Sequence, residues 1–236
     1  MKNEQTESMN VFDAIVGRQS IREFDRGIDV PRNTIEEILA VAGRSASGSN
    51  IQPWKVWIVR DKSRDMIATA CYERHMAGDR GAMEYNYYPL NWHEPYISRR
   101  RENGWGLYGK LGIEKGDKKR MKHQHGRNYL FFDAPVGLFF TIDRDKELGS
   151  WIDCGMFIQS VMLAARGKGL ETCAQASFCS YHDTVTQLLG LPENQMLICG
   201  MSLGYPLEDS VVNTFRTSRI KVSEFSTFVD ELNVKQ

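Results

Sequence analysis

Apolar positions along this chain follow two rhythms, one near 3.6 residues and one of two, and small or polar residues separate them into elements. Val11, Phe12, Ile15 and Val16 fall at helical spacing after a polar start, which predicts a short helix ending near Gly17. Pro31 stands where a second helix can begin, and Ile35, Ile38, Leu39 and Ala42 form a one-face stripe behind it. That helix delivers the chain into RSASGSNIQPW, a small, polar, glycine-bearing stretch that turns through Pro53 into the apolar run KVWIVR, Lys55 to Arg60, read as a strand. Asp61 or Ser63 is placed to cap a helix carrying Met66, Ile67, Ala70 and Cys71. PVGLFFTI, Pro135 to Ile142, predicts another strand. Trp151 to Arg166 is apolar nearly all round, which on a helix means burial on several sides. GKGLET stops that helix and leads to a strand near Glu171 to Ala176; a helix from Tyr181 to Leu189 precedes a final strand from Met196 to Tyr205.

The stretch from about 78 to 127 breaks the pattern. It is rich in Tyr, Trp, Gly and Arg and holds eleven Lys or Arg against six Asp or Glu, a net +5 inside a chain of net charge zero. Positive charge is therefore concentrated in one insert, while the global balance argues against nucleic acid and membrane surfaces as partners. No run reaches the roughly 18 apolar residues of a membrane span, and the polar N-terminus has no apolar leader core. Five cysteines scattered singly, without a CxxC pair, suit a reducing cytoplasm better than disulfides or a zinc site. With no internal repeat and no linker, residues 1–236 read as one cytoplasmic domain, with the insert at 78–127 and a weakly periodic extension at 206–236.

Gly104, Gly106 and Gly109 in GWGLYG match GxGxxG, but ISRRREN precedes them where a dinucleotide fold needs an apolar strand. His123 and His125 can share one side of an extended segment, yet no Cys or acidic partner completes a metal set, and they read as solvated members of the basic run. Cys173 and Cys179 read as core thiols, since no histidine is arranged to activate either. RQSIREF carries more. On an extended backbone Arg18, Ser20 and Arg22 point one way, Ile21 and Phe24 can face the core, and two guanidiniums with a hydroxyl make an anion site.

RQSIREF, a helix, SASGSNIQPW entering a strand, a glycine-ended buried helix running into GLET, then GYP and finally NTFRTSRIK together resemble the FMN-dependent nitroreductase family. The resemblance covers roughly 11–57 and 128–228 and says least about the insert. It implies an α+β, three-layer fold, a mostly antiparallel central sheet flanked by helices, in a domain-entwined homodimer. It implies that Arg18, Gln19 and Ser20 lie along the FMN phosphate and ribityl chain, with Arg219 closing over the phosphate and Arg216 a second candidate. Arg22 would sit at the flavin edge where negative charge collects on reduction. Ser47, Gly48, Asn50 and Gln52 would approach the flavin from the partner subunit, and Ala174, Gln175 and Ala176 would pass its other side, offering backbone or amide donors. Two departures stand out: Gln19 where Arg or His is frequent, and Ser45-Ala46-Ser47 in place of Ala-Pro-Ser.

The implied activity is reduction of a nitroaromatic compound or quinone by NADH or NADPH through FMN, in ping-pong fashion, with no protein nucleophile or metal. The insert then reads as a lid in which Tyr88, Trp92, Tyr96 and Arg100 contact the substrate; their charge and aromaticity suit an anionic nitroarene such as a nitrobenzoate. Alternatives are another flavin reductase on the same scaffold, such as a reductive dehalogenase, or an FMN-binding redox sensor without turnover.

Overall fold

The computed structural model describes residues 9–231; the first eight residues of the polar N-terminus and the last five of the 206–236 extension lie outside the described residues. The elements in chain order are α1 (Val11–Gly17), α2 (Arg32–Ala42), β1 (Lys55–Arg60), α3 (Asp61–Ala77), α4 (Tyr96–Lys110), α5 (Lys118–Gly126), β2 (Val136–Asp143), α6 (Leu148–Arg166), β3 (Glu171–Gln175), α7 (His182–Leu189) and β4 (Gln195–Gly204). The four strands form one sheet in the order β1-β2-β4-β3, every neighbouring pair antiparallel. A bulge between Phe140 and Thr141 shifts the β2–β4 register.

The sheet is buried on both faces, so the fold has three layers. Along β2 the period-two alternation sends Val136, Leu138, Phe140 and Ile142 to a core shared with α2 and α6. Phe139 goes to the opposite core with Ile67 and Cys71 of α3, Phe178 and Val185. RQSIREF lies outside the edge strand: Ser20 bridges Thr172 of β3 in parallel, and the Ile21 N–H donates to Thr172 O at 3.1 Å. Ile21 and Phe24 are both buried; period-two alternation accounts for Ile21 but not for Phe24, which has the parity of Arg18, Ser20 and Arg22.

Two starts differ from the sequence reading. Arg60, not Asp61 or Ser63, occupies the N-cap of α3; no side chain caps it, because the chain passes from strand to helix within one left-handed residue, Asp61 (φ +48°). Helix α6 begins three residues early, at Leu148. Asp153, Cys154, Phe157, Ile158, Val161 and Ala165 bury one side of it against the sheet and α2, whereas Leu148, Ile152 and Met156 are bare. By length and composition α6 alone is long and apolar enough to cross a membrane among the described residues, but its inner side belongs to the core.

The insert folds into α4 and α5, which hydrophobic periodicity does not reveal. Helix α5 is stitched by polar groups: Asp117 accepts from the Arg120 N–H at 3.0 Å, and the Arg120 guanidinium donates to Leu111 O and Gly112 O at 2.8 and 2.7 Å. Lys122 Nζ donates to Met76 O at 2.8 Å, fixing α5 against the end of α3.

Candidate functional site

The extended segment at Arg18–Arg22 and the C-terminal stretch face each other across a cavity of about 580 Å³, lined by Arg18, Gln19, Ser20, Arg22, Asn103, Phe215, Arg216 and Arg219 among others. This lies within the roughly 300–1,000 Å³ of small-molecule sites. The tail is tied to the strand by backbone complementarity: the Arg22 N–H donates to Asn213 Oδ1 at 2.9 Å, and Asn213 Nδ2 donates to Glu23 O at 2.8 Å. Arg216 donates to Gly17 O at 3.0 Å. Among the described residues, Arg219 donates only to its own neighbours, Thr217 and Ser218.

Four guanidiniums thus converge around one hydroxyl. Burial first, and then the nearby Arg219 charge, draws the Arg18 pKa below its ordinary value. A cluster of like charges that repel one another while partly desolvated is matched by an anion. Gln19, which lines the same cavity, has its Oε1 buried without a hydrogen-bond partner among the described residues. A phosphate with a polyhydroxylated chain fits these groups: oxygens for the arginines and a hydroxyl donor for Gln19.

Glu171 and Arg166 stand behind this wall and pair with each other. Burial raises the Glu171 pKa against the opposing pull of Arg166, Arg216 and Arg18. The glycine at position 17 lets the end of α1 pass the Arg166 guanidinium, which a Cβ there would strike.

A second cavity, about 310 Å³, opens farther along the same edge strand, between Ala174, Gln175 and Ala176 on one side and Tyr87, Tyr88, Arg100, His125 and Asn128 on the other. Thr172, beside Ser20, and Ala174 are two residues apart, about 7 Å along a strand. The anion cavity and the aromatic cavity therefore lie along one line. Arg100 stacks over Trp92 at 4.7 Å and Tyr88 at 5.6 Å, so its position is fixed by two rings. Tyr96 stands apart from that trio, against His93 at 5.5 Å and Arg99 at 5.7 Å. The Gln175 amide is spent inside the protein: Nε2 donates to Asn128 O at 2.6 Å and Oε1 accepts from Ser202 at 2.9 Å. Only backbone groups of this segment are left to face a ligand.

Ser47, Gly48, Asn50 and Gln52 line neither cavity. Their loop packs on α6, where the Gly48 N–H donates to the buried Asp153 at 3.2 Å and Ser45 Oγ meets Ser160 Oγ at 2.7 Å. Ser47 Oγ accepts from the Gln52 N–H at 3.1 Å. Ser49, Asn50 and Gln52 all have positive φ, near +50°, and all are exposed. Three left-handed non-glycine residues in four positions hold the loop out from the protomer at a conformational cost.

Periodicity and motif reading missed Asn103, Asn128, Glu171, Asn213 and Phe215, because each acts through a long-range contact. His123 and His125 lie on helix α5 rather than on an extended segment. Desolvation first, then the neighbouring His75, lowers the His125 pKa, and its ring stacks near His75 (5.0 Å) beside the second cavity. All five cysteines are unpaired and buried, and burial pushes Cys179 up to about 11, so neither it nor Cys173 is a ready nucleophile. Among the described residues no group of His, Cys, Asp and Glu forms a metal centre.

Comparison with known proteins gives this arrangement a context. The model of the Nitroreductase family matches residues 15–205. The chain is 38% identical to a 4-nitrobenzoate reductase of Nocardioides sp. (strain LMS-CY), over 94% of this chain and 91% of that protein. It is 39% identical to a chloronitrobenzene nitroreductase of Comamonas testosteroni, over 86% and 89%. Among solved structures, the FMN- and NADPH-dependent nitroreductase NfnB from sphigopyxis sp. strain HMH superposes with a TM-score of 0.90 at 32% identity, over 94% of this chain and 99% of that one.

Proposed function

The chain belongs to the nitroreductase family, and from that premise we propose that it reduces nitroaromatic compounds with electrons taken from NADPH or NADH through FMN. The observation that carries this reading is the cavity in which Arg18, Ser20 and Arg22 meet Arg216 and Arg219. Arg18, Ser20, Arg216 and Arg219 hold the FMN phosphate, and Gln19 accepts from the ribityl chain. Arg22 stands at the flavin edge, where its charge opposes the negative charge that reduction brings. When bound, FMN supplies a two-electron carrier that accepts hydride from the nicotinamide and passes it to the acceptor. The backbone of Ala174, Gln175 and Ala176 faces the ring across the second cavity.

Substrate sits in that second cavity beneath the insert, which acts as a lid on a single domain. Tyr87 and Tyr88 offer aromatic faces, and Arg100 a guanidinium for a carboxylate; Trp92 holds Arg100 in place. The reading is a carboxylated nitroarene such as a nitrobenzoate, with quinones as further acceptors. Tyr96 takes no direct part in it.

The functional unit is a homodimer, supported by the bare apolar faces of α1 and α6 and by the loop at Ser47, Gly48, Asn50 and Gln52, which reaches outward rather than into its own cavities. Five free, buried cysteines suit a reducing cytoplasm. The decisive experiment is an anaerobic spectrum: the purified protein, loaded with FMN, bleaches on addition of NADPH or of NADH and regains its yellow colour with 4-nitrobenzoate. Protein that takes up no FMN overturns the cofactor reading; loaded protein that never bleaches is a flavin binder without turnover.

A further inference from the structure

The glycines of GWGLYG have no dinucleotide role, yet one of them meets the tail that lines the anion cavity. All three lie on α4, within the insert. A Cβ on Gly104 or Gly109 would meet nothing within 4 Å, so nothing around them requires glycine. A Cβ on Gly106 would lie 2.6 Å from Cε2 and 3.0 Å from Cζ of Phe215, closer than carbon atoms pack. The Phe215 ring therefore rests directly on the backbone of α4.

Phe215 is the residue before Arg216. On its N-terminal side the tail is held by buried Val212 and by Asn213, which is bonded to Arg22 and Glu23. On its C-terminal side Ser218 Oγ donates to Glu102 Oε1 of α4 at 3.0 Å. Asn103 of α4 lines the anion cavity, and Asn103 and Gly106 together line a further cavity of about 700 Å³ that Phe215, Arg216 and Arg219 share. Arg216 and Arg219 thus leave a chain pinned at Asn213, at Phe215 and at Ser218.

We propose that Gly106 and Phe215 form a latch between the insert and the tail, whose function is to hold Arg216 and Arg219 over the FMN phosphate; the FMN part rests on the reading above. Gly106 and Phe215 are positioning residues, acting through the arginines. The latch makes the insert, which carries the substrate lid, a determinant of cofactor retention as well.

The test compares Gly106→Ala with Gly104→Ala and Gly109→Ala, whose Cβ atoms have open space and which serve as helix controls. Two readouts are taken on apoprotein: the rate at which trypsin cleaves after Arg216 and Arg219, and FMN affinity by quenching of flavin fluorescence. The latch predicts that Gly106→Ala speeds cleavage and weakens FMN binding about tenfold, while both controls behave as the parent. Phe215→Ala reproduces both effects, and the double variant Gly106→Ala/Phe215→Ala is no worse than Phe215→Ala, since the collision requires both groups.

Unchanged tail cleavage in Gly106→Ala overturns the latch. Faster cleavage with undiminished FMN affinity overturns its role in placing the arginines. If the parent protein itself binds no FMN, the cofactor reading fails, and tail cleavage alone then decides whether the latch exists. Should Gly106→Ala lose its helical circular dichroism, Phe215→Ala, which leaves α4 untouched, carries both readouts.

Discussion

Arg100 is the residue in which specificity is concentrated in the proposed reaction. Its place over Trp92 and Tyr88 is preset, so little side-chain freedom is lost when it meets a carboxylate. Arg100→Ala is expected to raise KM for 4-nitrobenzoate about tenfold or more, the size of one charge-assisted contact, with kcat little changed and neutral nitrobenzene unaffected. Equal losses on both substrates would remove Arg100 from carboxylate recognition. Glu171 acts in the opposite sense, as an internal anion behind the phosphate wall. Because burial raises its pKa, it is protonated to a higher pH in the folded protein than in the unfolded chain. The folded state binds more protons over that window, so stability from this group is present at low pH and falls as pH rises through the elevated value. The same deprotonation places a negative charge beside Arg18 and Arg216 and opposes phosphate binding. Glu171→Gln should therefore bind FMN more tightly than the parent above the ordinary carboxylate range, with the ratio growing as pH rises; a constant ratio across pH would contradict this.

At the scale of elements, the connection between α2 and β1 stores conformational strain that nothing in its own protomer relieves. Ser49 (φ +50°) sits between Gly48, bonded to Asp153, and Asn50, whose carbonyl accepts from Gln52 Nε2 at 3.1 Å. Ser49→Gly should be neutral or stabilise by up to about 1 kcal/mol, whereas Ser49→Val should destabilise by about 1–2 kcal/mol in urea titrations. The reverse order would mean that the left-handed turn does not form. Legibility in the sequence divides along similar lines. Elements whose apolar period is set by the sheet, from α2 to β1 and from β2 to β4, stand within a few residues of where spacing puts them, and so does α1, whose apolar stripe is exposed. The alternation of Arg18, Ser20 and Arg22 against Ile21 makes one wall of the cavity legible in the sequence. The insert is opaque because α4 and α5 bury little apolar surface and are held by tertiary contacts, a hydrogen bond from Lys122 to Met76 and the packing of Phe215 on Gly106, that have no local period. The same reason hid Asn213, which joins the tail to Arg22 across 191 positions.

For the whole molecule, the apolar faces that remain uncovered decide what the assembled protein is. Val11, Phe12, Ile15 and Val16 of α1 are all exposed, Val16 to 81%, and so are Leu148 and Ile152 of α6 at 79% and 66%. Helix α1 has one buried residue, Ala14, so in a lone protomer its helical pattern has almost nothing to pack against. At about 25 cal/mol per Å² of apolar area covered, such faces drive association strongly, and a patch of several large side chains is uncommon on a monomer. The loop bearing Asn50 leans on α6 beside these faces, and in the proposed dimer it reaches toward the other copy's cavities. Association and cofactor binding should then fail together. Ile152→Glu, at a site already exposed in the protomer and outside the cavity of Arg18 and Arg219, should convert the proposed dimer to a monomer in sedimentation experiments while helical circular dichroism is retained. Its FMN affinity should drop with dissociation and recover as protein concentration is raised. A variant that is monomeric yet binds FMN as tightly as the parent would show that each protomer builds its site alone, and Asn50 would lose its place against the partner's flavin.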